Sequence, residues 1–247
     1  MNWLRSIGGE LKLDRLVNFV GNSLWQSNCP LCKRPSEKVL CKDCDRQIAA
    51  YQFPQFLQKD SPISPEIPLY SWVTYDGAVK RAIAACKYEN HPEIMEAIAE
   101  KMAIRWRQEP IANLKNIPVV PIPLHPNKLK SRGFNQAEVL ARRFCDLTSL
   151  PCYPKLLQRI KDTKPQMQTK TKGERQQNLS KAFAVSRIPR SSQKLDSDKV
   201  IILDDIYTTG TTIREAIAAL ASQNIKVKGV IVIARPQFEN RSPNLNS

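Results

Sequence analysis

The feature that most constrains the fold of this chain is an apolar strand that runs into two acids and a threonine-rich turn. Residues 200–203 are all apolar, Asp204 and Asp205 follow them, and a predicted helix spans residues 211–222. A short run that is apolar throughout is typical of a strand buried on both faces of a sheet. Such a strand needs helices on both sides, so the segment predicts an α/β fold.

Further apolar segments alternate between strand and helix patterns along the chain. The other predicted strands are residues 69–75, 117–122 and 227–234. The other predicted helices are residues 77–87, a segment that follows Pro92, and residues 136–145. This alternation predicts a mostly parallel sheet with helices on both faces. Polar, basic residues 159–181 and serine-rich residues 186–197 are predicted to be loops.

The chain is predicted to divide into a small N-terminal unit and one main domain. Residues 51–68 contain four prolines and are interpreted as a linker. The predicted division is therefore an amphipathic helix and a cysteine-rich module in residues 1–50, the linker in 51–68, the main domain in 69–236, and a disordered tail in 237–247.

Charge and hydropathy limit the compartment and the partners. Asp14 and Arg15 interrupt the apolar stretch of residues 11–25, so we expect neither a transmembrane span nor a secretory signal, and we predict a cytoplasmic protein. The apolar positions of that stretch fit a short amphipathic helix, which either packs on the protein or lies on a membrane. The formal net charge of +15 indicates an anionic partner, such as nucleic acid, a polyphosphate metabolite or lipid headgroups.

Four of the seven cysteines form two C-x-x-C pairs, Cys29 with Cys32 and Cys41 with Cys44. Two such pairs can place four thiolates around one tetrahedral zinc ion, which leaves no open position for catalysis. The pattern therefore predicts a structural zinc module. Another metal or cluster, a disulfide pair and a redox motif are alternatives, although nothing marks the chain as secreted.

The turn after the paired acids has the composition of an anion-binding loop. It consists of Thr208, Thr209, Gly210, Thr211 and Thr212. Small residues let backbone N–H groups approach a phosphate, hydroxyls add donors, and the helix that starts there contributes its positive end. The turn has no Walker lysine, and the acids before it suggest a sugar with free hydroxyls. An ordinary helix capped by Thr209 or Thr211 is the alternative.

This segment resembles the phosphoribosyl pyrophosphate (PRPP) motif of type I phosphoribosyltransferases. The resemblance implies the type I fold, in which Asp204 and Asp205 bind the ribose hydroxyls and residues 208–212 bind the 5′-phosphate. It also implies a Mg²⁺ ion that bridges pyrophosphate and ribose oxygens. Catalysis in such a site consists of positioning and charge neutralisation, without a side-chain nucleophile.

Three other blocks resemble the ComF family, and the resemblance as a whole covers nearly all of residues 29–234. The first is residues 119–126 followed by Lys128, Lys130, Arg132, Gly133, Phe134, Asn135 and Gln136. The second is Arg159, Thr163, Gln166, Glu174, Arg175, Asn178 and Phe183. The third is Tyr75, Asp76, Gly77, Lys80, Lys87 and Tyr88.

The ComF resemblance implies roles for two of these blocks. Arg132 and Gly133 would bind the pyrophosphate, which makes Arg132 a catalytic candidate beside Asp204 and Asp205; a solvated basic turn is the alternative. The second block is a lid over PRPP, a surface for single-stranded DNA, or a solvated loop. Its candidate residues are Arg159, Thr163, Gln166, Arg175 and Asn178.

ComF-like proteins are associated with natural competence, so the resemblance implies a PRPP-binding protein that assists DNA uptake, with single-stranded DNA and other competence proteins as partners. Two alternatives stay open. One is a salvage phosphoribosyltransferase that acts on an unidentified base. The other is a PRPP-sensing module that binds DNA or protein without turnover.

Overall fold

The computed structural model describes residues 27–58, 61–110, 116–161, 182–186 and 198–237. The predicted amphipathic helix in residues 11–25 lies outside these ranges, as do residues 238–247. Within the described ranges, no helix combines the length and apolar character needed to cross a membrane.

The elements alternate between helix and strand over most of the described chain. In order they are α1 (Lys42–Ala49), β1 (Leu69–Thr74), α2 (Gly77–Tyr88), α3 (Glu93–Trp106), β2 (Val119–Pro121), α4 (Pro126–Arg132), α5 (Gln136–Thr148), β3 (Leu157–Arg159), β4 (Phe183–Val185), β5 (Lys199–Ile206), α6 (Thr211–Ala221) and β6 (Lys226–Arg235).

The main sheet has the strand order β1-β6-β5-β2, and every neighbouring pair in it is parallel. Strand β5 therefore lies inside the sheet, between β6 and β2. Its side chains alternate between two hydrophobic clusters, with Ile201 and Leu203 in one and Val200 and Ile202 in the other. This alternation follows from the two-residue period of a strand and confirms the predicted burial of β5 on both faces.

Helices cover both faces of the sheet, as the alternation of patterns predicts. Helices α2, α3 and α5 contribute to the cluster that contains Ile201, and the ring of Trp106 in that cluster packs edge-on against Tyr70 and Phe144. Helix α6 contributes to the opposite cluster. The antiparallel pair β3–β4 packs on that same face.

Four elements differ from the sequence-based interpretation. Helix α1 was not predicted. Neither was α4, although its start is well marked: Pro126 occupies the first turn, and the His125 ring accepts a hydrogen bond from the Asn127 N–H at 3.3 Å. Residues 159–181 were interpreted as loop, but Arg159 ends β3, and β4, which begins at Phe183, was not predicted. Each of these strands is three residues long, too short for a periodic pattern to be read.

The segment interpreted as a linker packs along β1 in its first half. Gln52 forms an antiparallel bridge with Val73, Leu57 forms another with Tyr70, and Phe56 between them is buried. These contacts anchor residues 52–57 to the edge of the sheet. The division of the chain at residues 50 and 68 stays a prediction.

Candidate functional site

The two acids lie where the central strand leaves the sheet. Strand β5 ends at Ile206, and its neighbours on both sides run parallel to it. The carboxyl ends of parallel strands meet at one edge, which is where open α/β sheets bind ligands. Asp204 and Asp205 are both buried at this edge although they are charged residues.

The Asp204 carboxyl is shielded from water. Burial, with the neighbouring charge of Asp205, raises the pKa of Asp204 well above its usual range. One oxygen, Oδ1, accepts a hydrogen bond from the Asp205 backbone N–H at 2.8 Å, which fixes the carboxyl at the end of the strand. The site therefore contains a carboxyl that resists ionisation beside a second carboxyl with a different partner.

Asp205 forms an ion pair with Lys87, which α2 contributes from its last turn. Burial alone would lower the pKa of Lys87, but the charges of Asp205 and Asp204 outweigh that effect and raise it. The Lys87 ammonium contacts Oδ2 of the Asp205 carboxylate. A carboxylate oxygen has more than one acceptor position, so Asp205 can also accept a hydrogen bond from a ligand donor.

The threonine turn is built around Gly210. This residue has φ +74°, in the left-handed region, and is the N-cap of α6. No described side chain caps the helix, so the alternative in which Thr209 or Thr211 caps α6 is wrong. The Thr209 and Thr211 hydroxyls instead lie 3.1 Å apart. The first N–H groups of a helix lack intrahelical acceptors, so this turn leaves donors and a positive dipole end for an anion.

A cavity of about 260 Å³ brings the acids and part of the turn together. Its wall consists of residues from helices α2, α5 and α6, strands β3 and β5, the segment after β2 and the threonine turn. The lining residues are Lys87, Ile122, Pro123, Leu124, Gln136, Arg159, Asp204, Asp205, Ile206, Thr208 and Thr212. Of the candidates from the sequence, the cavity therefore unites Asp204, Asp205, Thr208, Thr212 and Arg159.

Arg132 and Gly133, the expected pyrophosphate ligands, do not line this cavity. Arg132 lies outside the wall of this cavity, donates a hydrogen bond to the wall residue Gln136, and places its guanidinium 6.0 Å from the centre of the Tyr88 ring. The Gly133 N–H donates to the Leu129 carbonyl at 2.8 Å, because Gly133 ends α4. That N–H is thus not available to an anion here, while a pyrophosphate role for the Arg132 guanidinium stays a prediction.

Sequence reasoning assigned no role to Lys87 or Gln136, although both belong to blocks of the ComF resemblance. Their pattern alone gave no sign that they line one cavity with the acids, since the sheet topology brings them there. Thr163, Gln166, Arg175 and Asn178 lie outside the described residues, so their role as a lid or a DNA surface stays a prediction.

The four cysteines form a second candidate site. Their Sγ atoms all lie within 4.8 Å of one another. Cys41 is the N-cap of α1 and Cys44 lies in its first turn, while a tight turn in which the Lys33 N–H donates to the Cys29 carbonyl at 2.8 Å holds the other pair. Four thiolates around zinc at 2.3 Å would be about 3.8 Å apart, so the cluster fits a metal ion.

The environment of these thiols favours a thiolate at Cys32. A hydrogen bond from the Arg34 guanidinium at 3.4 Å, together with the backbone of Arg34, lowers the pKa of Cys32 to about 6. Burial raises the pKa of Cys44. The metal-ligating form is the thiolate, so this arginine favours the form of Cys32 that binds metal.

Comparison with known proteins identifies the fold that carries both acids and the threonine turn. The profile of the phosphoribosyl transferase domain matches residues 85–243, which include Lys87, β5 and the turn. The chain belongs to the phosphoribosyl transferase domain family. Its type I phosphoribosyltransferase fold, expected from the sequence, is thereby confirmed.

Curated relatives of this phosphoribosyl transferase domain protein confirm the ComF resemblance. The chain is 26% identical to competence protein ComFC of Bacillus subtilis over 193 residues, which span 78% of this chain and 70% of that protein. It is 26% identical to competence protein ComFC of Streptococcus pneumoniae over 77% of this chain and 72% of that protein. It is 27% identical to competence protein F of Haemophilus influenzae over 58% of this chain and 63% of that protein.

The geometry of the turn predicts that Gly210→Ala is more destabilising than Gly133→Ala. Both glycines have positive φ, so each substitution adds about 1–2 kcal/mol of backbone strain. A Cβ at Gly210 would also lie 2.2 Å from the hydroxyl of buried Tyr207, whereas one at Gly133 would meet nothing within 4 Å. We expect the difference in unfolding free energy to be about 1–3 kcal/mol, measured by urea denaturation. Equal losses would contradict the close packing of the turn.

Proposed function

We propose that this protein binds PRPP in the cavity at the end of β5. The observation that carries the proposal is the juxtaposition of two buried carboxyl groups with a helix N-terminus that no described side chain caps. Asp204 and Asp205 would bind the ribose hydroxyls. Thr208, Thr212 and the backbone of the turn would bind the 5′-phosphate, because N–H groups at a helix start favour an anion.

Mg²⁺ belongs to this proposal because the site contains oxygen ligands and the proposed substrate carries phosphates, both of which suit a hard cation. When bound, the ion would neutralise charge on the departing pyrophosphate. The protein's own residues orient the ribose, hold the phosphate and exclude water. Asp204, with its raised pKa, can keep a proton and donate it in a hydrogen bond, whereas Asp205 can accept one.

The affinity for PRPP should depend on both carboxyl groups. Asp204→Asn combined with Asp205→Asn should weaken PRPP binding at least about 100-fold, because each carboxyl loses a charge-assisted or proton-sharing contact. Titration calorimetry with PRPP and Mg²⁺ measures it. The matched control, Asp146→Asn combined with Asp198→Asn, removes the same charge from two exposed positions and should bind normally.

A wild-type protein that does not bind PRPP would overturn the proposal, and unchanged affinity of the double variant would overturn the ribose assignment. Whether binding leads to turnover is a separate question. Release of pyrophosphate with one member of a panel of bases would favour the salvage enzyme over the sensing module.

We also propose that the cysteine cluster binds zinc in a structural role. Four thiolates within 4.8 Å of one another complete a tetrahedral site and leave no position for water or substrate. Cys29 and Cys44 are buried within the same hydrophobic cluster as Trp72 and Ile83, so the metal would stabilise the packing between the module and the main sheet.

Cys41→Ser should therefore lose zinc and lower the thermal stability of the protein, because metal binding and folding are coupled in such modules. Metal analysis of the purified protein and its melting temperature measure the two effects. Cys152→Ser, at a partly buried cysteine outside the cluster, is the control that should keep its zinc. Full zinc content in Cys41→Ser would contradict the four-thiolate site.

A role in natural competence is the biological context that we propose. It is supported by the relatives, which are named competence proteins, and by the net charge of +15, which favours single-stranded DNA as a partner. A cytoplasmic location and contacts with other competence proteins are part of the same proposal.

This context predicts salt-dependent binding to single-stranded DNA. Replacing Lys164, Lys170 and Lys172 by Ala should reduce the slope of log affinity against log salt by about 2, since each phosphate contact contributes about 0.7. Fluorescence anisotropy with a labelled oligonucleotide at several salt concentrations measures the slope. An unchanged slope would assign the DNA surface to other residues, and no binding at low salt would remove DNA from the proposal.

A further inference from the structure

We propose that Lys87 is a ligand for the diphosphate group of PRPP, which it contacts after the ribose hydroxyls bind Asp205. This inference rests on the proposed PRPP site and deepens it, because it adds a cationic residue from α2, an element outside the strand and turn of the motif. Lys87 would thus have two roles: counter-ion of Asp205 before PRPP binds, and ligand of the diphosphate once PRPP has bound.

The position of Lys87 supports a contact with the ligand. Its side chain is 18% exposed and lines the same cavity as Asp204, Asp205 and Thr208. Strand alternation explains how it arrives there: Asp205 shares the parity of Ile201 and Leu203, whose side chains face the cluster that contains α2. The Lys87 ammonium and the proposed phosphate-binding turn therefore border one volume.

Stability alone is a poor explanation of this ion pair. The side chains of Lys87 and Asp205 are 18% and 7% exposed, so both groups lose hydration on folding. That loss offsets most of the attraction, and an apolar pair of similar size is often at least as stable. A lysine held in a ligand cavity despite this cost fits a residue that binds an anion.

Both partners have unused hydrogen-bonding capacity. The ammonium has three N–H donors, and its ion pair with Asp205 Oδ2 does not occupy all of them. A carboxylate has about four acceptor positions, so a ribose hydroxyl can donate to Asp205 beside the ammonium. Nearby carboxylates raise the pKa of Lys87 despite its burial, so its ammonium is charged. The flexible stem of Lys87 can then turn this ammonium towards the diphosphate on the same sugar.

The alternative is that Lys87 only holds Asp205 in place. Two ligands distinguish the cases: PRPP, and ribose 5-phosphate, which has the same 5′-phosphate and a free anomeric hydroxyl in place of the diphosphate. A residue that only positions Asp205 affects both ligands equally. A residue that contacts the diphosphate affects PRPP alone.

The experiment measures the affinities of both ligands for Lys87→Met by titration calorimetry with Mg²⁺. We expect PRPP to bind about 10- to 100-fold more weakly and ribose 5-phosphate to change less than about 3-fold, because one charge-assisted contact is lost. Lys87→Arg should restore most of the PRPP affinity. Lys80→Met, which removes the same charge from an exposed position on α2, should bind both ligands normally.

Each outcome decides between the two proposals. If wild-type protein binds PRPP and the Asp204, Asp205 double variant does not, the PRPP site stands; equal losses of both ligands in Lys87→Met, or no loss, then overturn the diphosphate role alone. Wild-type protein that binds neither ligand overturns both. Lys87→Gln, which keeps a polar group beside Asp205, replaces Lys87→Met if circular dichroism shows that the latter is unfolded, and the same criteria apply.

Discussion

Burial of β5 on both faces is the constraint on which the rest of this structure depends. The strand lies between β6 and β2, and its alternate side chains fill two clusters on opposite faces of the sheet. Helices must cover both faces to bury those side chains, which places α2, α3 and α5 on one side and α6 on the other. Charged side chains are costly inside the sheet, so they can occur in β5 only where the strand leaves it. Asp204 and Asp205 lie at that edge, where open α/β sheets bind ligands.

The same alternation gives the two carboxyl groups different surroundings. Asp205 points to the side of α2, where Lys87 compensates its charge. Asp204 is buried beside it, and its pKa is raised by that burial and by the charge of its neighbour. Two adjacent acids on one strand thus have different surroundings and different partners, which suits a ligand whose neighbouring hydroxyls can each donate or accept.

The main sheet and the turn were predictable because their signals are local. The apolar run of residues 200–203 is continuous, and Gly210 among threonines marks a turn that needs positive φ. Strands β3 and β4 could not be predicted, because among the described strands each pairs with the other, and no local pattern reveals a partner that lies beyond residues 162–181. Lys87 was missed for the same reason: its contact with Asp205 exists only because the sheet brings α2 to the end of β5.

Helix α2 is the element shared by the two candidate sites. It contributes Lys87 to the ligand cavity, and on its other turns it contacts the cysteine segment, where Arg81 donates to the Gln47 side chain at 2.8 Å. The cysteine segment is also fixed to α3, through an ion pair of 2.8 Å between Lys101 and Asp45. A metal bound by the four cysteines would hold α1 in place, and through the contacts of α1 it would also restrict where α2 can lie. The cysteine cluster would therefore influence the position of Lys87 without contacting a ligand, because α2 connects the two sites.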